Sequence, residues 1–280
     1  MYAQTNGNET FDTIHGQGRP MLLMHGGPGL DHTHLRPWLD SLSEQVQLIY
    51  YDQFGMGRSS RPQSFEGVTH ETWVDEAEAL RAALGHDRII LFGFSYGGFL
   101  AQEYALRYPD HLDGLILCDT APVVDYPDVI VGNAQARGTP EQVQAVVGGL
   151  SDPAAFADDA AFRQVWMTIF PLYFHRYDPQ VGAAIDEQTQ YSGAAFSHGF
   201  SRCLPTFNVL NRLGEIAVPT LVMGGRYDWI TPPAQGPERI HAGIPNSELI
   251  ILEDSGHFSF IEEHDKFVSV VSHWIDDLPV

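Results

Sequence analysis

Ile89-Ile90-Leu91-Phe92-Gly93-Phe94-Ser95-Tyr96-Gly97-Gly98-Phe99-Leu100-Ala101 is the stretch that decides the fold. An apolar, β-favouring run meets a turn of small residues around one serine, and Leu, Ala and Tyr follow at helical spacing. That order predicts a strand, a sharp turn and a helix, with Gly93-Phe94-Ser95-Tyr96-Gly97 as a nucleophile elbow. The small residues let the chain bend tightly enough to lift Ser95 clear of a sheet. Gly97 and Gly98 let the helix pack close behind it. The helix N-terminus then lies beneath the serine, where free N–H groups favour developing negative charge.

Working outward, continuous apolar runs at residues 20–25, 46–52, 112–118, 219–224 and 248–252 read as buried strands, with an earlier strand at 11–15. Helical patterns alternate with them. One spans 32–42, where Leu35, Trp38, Leu39 and Leu42 share a face, and one spans 72–84 before Gly85. Others run from the elbow to about 108, over 232–242 and over 261–276. Parallel strands covered on both faces give such uninterrupted runs, so the fold class is α/β with a doubly wound, mostly parallel sheet. The rhythm breaks after Ala121-Pro122. Residues 123–213 carry no strong strand signal and read as an inserted helical cap, leaving 1–122 and 214–280 as the core. The insertion is rich in rings, among them Phe162, Trp166, Tyr173, Phe196, Phe200 and Phe207. Most are expected to pack helix against helix and the rest to line a pocket beneath the cap.

Composition excludes several function classes. A chain of 280 residues with 44% hydrophobic content can bury a sizeable core, and no apolar run reaches membrane-spanning length. A net charge of −21 argues against nucleic acid and anionic membrane surfaces, both of which need a basic face. The partner expected is a small-molecule substrate. Residues 1–7 show no basic or apolar leader, and two cysteines make no disulfide framework, so a cytoplasmic location is expected. Nothing in the sequence speaks to oligomeric state.

A serine hydroxyl needs a base to take its proton and a third group to hold that base. On such a sheet the partners follow in the order serine, acid, histidine. Asp228 follows the strand at 219–224 and His257 follows the strand at 248–252, so both leave the sheet at the edge that carries Ser95. Asp119 also ends a strand and is the rival acid. Two oxyanion donors are expected, the N–H of Tyr96 and one from His25-Gly26-Gly27-Pro28-Gly29. Gly27 is the first choice there and Gly26 the second, because Pro28 cannot donate. His241, His264 and His273 fall in helical patterns and read as solvated. His32 and His34 form a His-x-His pair, yet no further ligands keep metal spacing nearby, so no metal is expected. The chemistry calls for no cofactor.

The segments His25-Gly26-Gly27-Pro28-Gly29, Asp52-Gln53-Phe54-Gly55-Met56-Gly57-Arg58-Ser59 and Gly93-Phe94-Ser95-Tyr96-Gly97-Gly98 together resemble the α/β-hydrolase superfamily. More narrowly the chain resembles its proline iminopeptidase branch, and Gly225-Arg226-Tyr227-Asp228 and Gly256-His257 extend the match to the C-terminal region. The resemblance implies a serine hydrolase with Ser95, His257 and Asp228 as its triad. Aminopeptidases of that branch hold the substrate's free amine with cap glutamates. Here residues 188–214 contain no Asp or Glu, and Trp229 stands beside the acid where some relatives carry glutamate. Asp178, Asp186 and Glu187 could substitute, although nothing in the sequence places them in the pocket. The expected substrate is therefore a small ester, lactone or amide, with Trp229, Phe196 and Phe200 against it. N-terminal peptide cleavage is the close alternative. A cofactor-free lyase or perhydrolase, or a silent ligand receptor, is the alternative from another class.

Overall fold

A computed structural model describes residues 1–279. Its strands are β1 (Tyr2–Thr5), β2 (Asn8–His15), β3 (Arg19–Met24), β4 (Val46–Tyr51), β5 (Ile89–Phe94), β6 (Leu112–Cys118), β7 (Thr220–Gly225) and β8 (Ser247–Leu252). They form one sheet in the order β1-β2-β4-β3-β5-β6-β7-β8. From β4 to β8 every neighbouring pair is parallel, whereas β1 with β2 and β2 with β4 are antiparallel. All six residues of β5 are buried, as its unbroken apolar run requires of a central strand. The chain steps from β3 outward to β4, then returns to the other side of β3 as β5. Loops after β3 and β5 diverge at that reversal and leave a crevice at the carboxyl edge of the sheet.

The helices of the first half are α1 (His70–Ala83) and α2 (Tyr96–Arg107). The Thr72 hydroxyl accepts the Thr69 N–H at 3.0 Å, which marks the start of α1, and Gly85 stands at φ +77 just past its end. Between β6 and β7 come α3 (Pro127–Arg137), α4 (Pro140–Ser151), α5 (Asp159–Ile169), α6 (Pro179–Gln188) and α7 (Gly193–His198). Several of these starts are written in the sequence. Pro127, Pro140 and Pro179 occupy first helical positions, and Thr139 with Gln142 forms a capping box. The two ends of this helical segment are tied together, because Val123 bridges Asn208 and Val209 N–H donates to Pro122 O at 3.0 Å. The chain closes with α8 (Pro237–Gly243), α9 (Ser259–Glu262) and α10 (His264–Asp276). No helix among the described residues is long and apolar enough to cross a membrane.

Three expectations are corrected, and one strand was not anticipated. The helix over 32–42 is replaced by short 3-10 turns at His32–Leu35 and Asp40–Glu44. Pro37 forces Arg36 into an extended conformation, which stops helix propagation despite the apolar spacing. The helix of 232–242 begins only at Pro237, after Pro232, Pro233 and Gly236. The last helix is divided between α9 and α10 at Glu263. The edge strand β1, short and largely polar, was not anticipated.

Candidate active site

Ser95 sits between β5 and α2 at φ 53 and ψ −118, a backbone region that costs a non-glycine residue about 1–3 kcal/mol. The surroundings hold it there. Its N–H donates to Cys118 O at 3.0 Å, and its carbonyl accepts from the Thr120 hydroxyl at 2.8 Å and from Gly98 N–H at 2.9 Å. At Gly97 a Cβ would run into the carbonyl oxygens of Met24 and His25, so only glycine lets α2 approach β3 here.

That approach brings the loop after β3 against the elbow. His25 and Gln53 fix its path. The His25 ring lies 2.9 Å from Gly26 O through Nδ1 and accepts Gln53 N–H through Nε2 at 3.3 Å, while Gln53 Nε2 donates to His25 O at 3.2 Å. Burial holds His25 below the ordinary histidine range, which suits an uncharged structural role. Two segments quoted from distant parts of the sequence thus brace one another. Gly27, at φ 53, borders the same cavity as Ser95 and Tyr96.

Asp228 and His257 meet at the ends of β7 and β8. His257 Nδ1–H donates to Asp228 Oδ2 at 2.7 Å. Thr231 donates to the same oxygen at 2.6 Å through its hydroxyl, and the N–H groups of Ile230 and Thr231 donate to Oδ1 at 2.9 and 3.0 Å. Burial would raise the Asp228 pKa, but the charge and hydrogen bond of His257, with Thr231 adding, hold it below the usual range. Burial would likewise depress His257, but the charge and hydrogen bond of Asp228 lift it above the ordinary value. The His257 N–H is anchored on Tyr173 O at 2.6 Å.

Asp119 is close by and differently employed. One oxygen accepts Gly225 N–H at 2.8 Å and the other the Ser259 hydroxyl at 2.6 Å. Burial and the charge of Asp228 push its pKa up to about 7. It ties β6 to β7 and α9, whereas Asp228 is the carboxylate bonded to His257.

Ser95, Gly27, Tyr96 and His257 border one cavity, closed by Trp229, Ile230 and Thr231 from the sheet side. The helical segment supplies Tyr126, Ile130, Val146, Phe162, Trp166, Tyr173, Phe196 and Phe200. Among the described residues, no aspartate, glutamate, lysine or arginine borders it. Trp229, Phe196 and Phe200 border the cavity. The ring of Phe207 packs on Phe99 at 4.7 Å, outside the lining. Asp186 is paired with Arg163 and accepts from the Tyr191 hydroxyl at 2.8 Å, and Asp178 caps α6. Neither borders the cavity, nor does Glu187. Thr231 and Tyr126 were not singled out from the sequence, and Tyr173 was named only among the rings of the insertion. Thr231 could have been, since a hydroxyl three residues after an acid at a strand end is placed to hold that acid.

His241 and His273 are exposed, and His264 is half-buried with Nε2 at 2.8 Å from Trp38 O. The histidine pair divides. His34 Nε2 lies 3.0 Å from the Thr189 hydroxyl, while His32 Nδ1 lies 2.6 Å from Asp52 Oδ1. Contrary to the spacing argument, Asp31 and Asp52 do gather around His32, with ligand-type atoms within 4.8 Å of one another. The loop after β3 folds against the end of β4, which sequence distance conceals. The carboxylates are occupied by N–H donors, Asp52 by His32 and Arg58, and Asp31 by Thr33 and Gln190. The trio knits three loops together.

A family model described as the alpha/beta hydrolase fold matches residues 19–264. The chain belongs to the alpha/beta hydrolase fold family. As a member of that family it is a hydrolase. It is 30% identical over 276 residues to a proline iminopeptidase of Saccharolobus solfataricus, spanning 95% of this chain and 87% of that protein. A thermophilic esterase of Thermogutta terrifontis superposes with a TM-score of 0.74 at 26% identity, covering 99% of this chain and 97% of its own. The enol-lactonase of Burkholderia xenovorans superposes with a TM-score of 0.79 at 24% identity, covering 99% and 100%. The hydrolase fold is thus shared with proteins of differing substrates, and the lining of this cavity must carry the distinction.

Proposed function

We propose that this alpha/beta hydrolase transfers an acyl group to water through Ser95, His257 and Asp228, acting on a small neutral ester, lactone or amide. Residues 123–213 serve as a helical cap over the site. Ser95 Oγ attacks the acyl carbon while His257 Nε2 takes its proton. The oxyanion of the tetrahedral intermediate is received by the N–H groups of Gly27 and Tyr96, aided by the N-terminus of α2. His257 returns the proton to the leaving oxygen or nitrogen, and an acyl-enzyme forms. Water then attacks with His257 again as base, and Ser95 is regenerated with release of the acid. Asp228 holds His257 in the tautomer that leaves Nε2 free to accept.

The observation that carries the substrate class is the lining without formal charge. A substrate ammonium enclosed there would lose its water without gaining a counter-ion, at a cost of several kcal/mol. The similarity to a proline iminopeptidase favours a second reading, release of N-terminal residues. One comparison separates them: turnover of amino-acid esters and anilides with free and acetylated amines, beside short neutral p-nitrophenyl esters. Neutral esters and blocked amines are expected to react at least as well. A strict requirement for a free α-amine would establish the aminopeptidase reading instead.

A further inference from the structure

Glycine inside a helix lowers stability relative to alanine, so its presence there usually marks a close approach that a Cβ would obstruct. Several helical glycines of this fold obey that rule. A Cβ at Gly97 would meet the carbonyls of Met24 and His25, one at Gly98 would meet Thr120, and one at Gly182 would meet Tyr177. Gly132, Gly148 and Gly149 do not obey it. A Cβ at Gly132 or Gly149 would find nothing within 4 Å, and one at Gly148 would touch only Phe156 at 3.7 Å. Of these three, Gly149 alone borders the cavity that holds Ser95 and His257.

Gly149 lies on α4 with Ala145, Val146 and Leu150, which border the same cavity. These positions form one face of a helix, so a side chain at 149 would stand on the stripe turned to the cavity. Leu150 borders the cavity and is nevertheless 37% exposed, so the space approaches solvent at this end of α4. We propose that Gly149 is a specificity-determining residue: the room left by its missing side chain admits the outer part of a medium-length apolar chain of the substrate. The neighbours select that chemistry, since Ala145, Val146 and Leu150 offer only hydrocarbon side chains. Reading this as substrate specificity rests on the acyl-transfer proposal, but the limit on chain length is testable without turnover.

Binding to the Ser95→Ala protein, measured calorimetrically with ethyl butanoate, hexanoate and octanoate, reads the space directly. Each methylene denied burial weakens binding by about fourfold. Adding Gly149→Leu is therefore expected to weaken ethyl octanoate by about tenfold or more and ethyl butanoate by less than about threefold. Gly149→Ala should lie between the parent and the leucine variant, and it reports even if the leucine variant folds poorly. Gly148→Ala gains the same helix propensity at a position that does not border the cavity, and should keep the parent's profile. The proposal is overturned if no ester binds, if neither variant at 149 selectively weakens octanoate, or if Gly148→Ala changes the profile in the same way. Loss of the acyl-transfer reading would show differently, as unchanged ester turnover when Ser95 is replaced.

Discussion

The hydroxyl of Tyr96 lies 2.6 Å from Nε2 of His70, so the residue that follows Ser95 is tied by its side chain to the first turn of α1. His70 Nδ1 in turn lies 3.2 Å from Glu103 Oε1 on α2. The Tyr96 side chain therefore anchors helices, while the proposed oxyanion donor is its backbone N–H. Tyr96→Phe should separate the two. It leaves the buried Nε2 of His70 without its partner, which costs about 1–3 kcal/mol. Thermal unfolding is expected to shift down accordingly, with kcat within a few-fold of the parent. A large fall in kcat at unchanged stability would assign the side chain itself to the reaction.

Ser95 combines strain with the proposed attacking atom. Ser95→Ala should lower kcat by about 10⁴-fold or more and abolish labelling by a serine-directed phosphonate. Ser95→Gly should be equally inactive yet more stable by about 1 kcal/mol, because glycine occupies positive φ without a Cβ penalty. Equilibrium denaturation of the two variants checks this. An active Ser95→Ala protein would remove Ser95 from its role.

What the sequence disclosed follows from how local each signal was. The β5–α2 unit is legible because strand run, turn and helix spacing are contiguous, and Gly97 records a contact with β3 in its own identity. The segment at 32–42 misled because apolar spacing persists across Pro37, and only the backbone rule for Arg36 reveals the break. The cavity lining was only partly legible. Rings of the cap recur at helical spacing whether they face another helix or a cavity, so Phe200 and Phe207 look alike until their neighbours are known. The Asp31, His32 and Asp52 grouping depends on two loops meeting, which no spacing within either loop can announce.

The two acids at the end of the sheet make opposite predictions. Asp228→Asn keeps the shape but offers His257 an amide, favouring the wrong tautomer and lowering kcat by roughly 10³- to 10⁴-fold. Asp119→Asn should cost less than about tenfold, because Asp119 bonds Gly225 and Ser259 rather than His257. It should also change how stability depends on pH. With its pKa pushed up to about 7, Asp119 keeps a proton in the folded protein that the unfolded chain releases near 3.8. Stability attributable to it is therefore lost as pH rises through that window. Asp119→Asn should flatten the decline, read as unfolding midpoints between pH 4 and 7. A slope identical to the parent's would mean that Asp119 is ionised throughout.

The pH dependence of turnover tests the pair itself. A general base must be neutral to accept the Ser95 proton, so kcat/KM should rise with pH through the titration of His257 in the free enzyme. Burial opposes the charged ring, yet the charge and hydrogen bond of Asp228 outweigh it, which puts that rise above the ordinary histidine value of 6.5. Removing the charge reverses the balance. In Asp228→Asn only desolvation remains dominant, so the limb should move to lower pH even as the plateau falls. Asp119→Asn should move it in the same direction by less, since Asp119 contributes the smaller part of the field at His257. Profiles with a neutral p-nitrophenyl ester, corrected for its spontaneous hydrolysis, measure all three limbs. If Asp228→Asn lowers the rate but leaves the limb in place, the titrating base is a group other than His257, and the bond between Asp228 and His257 is only structural.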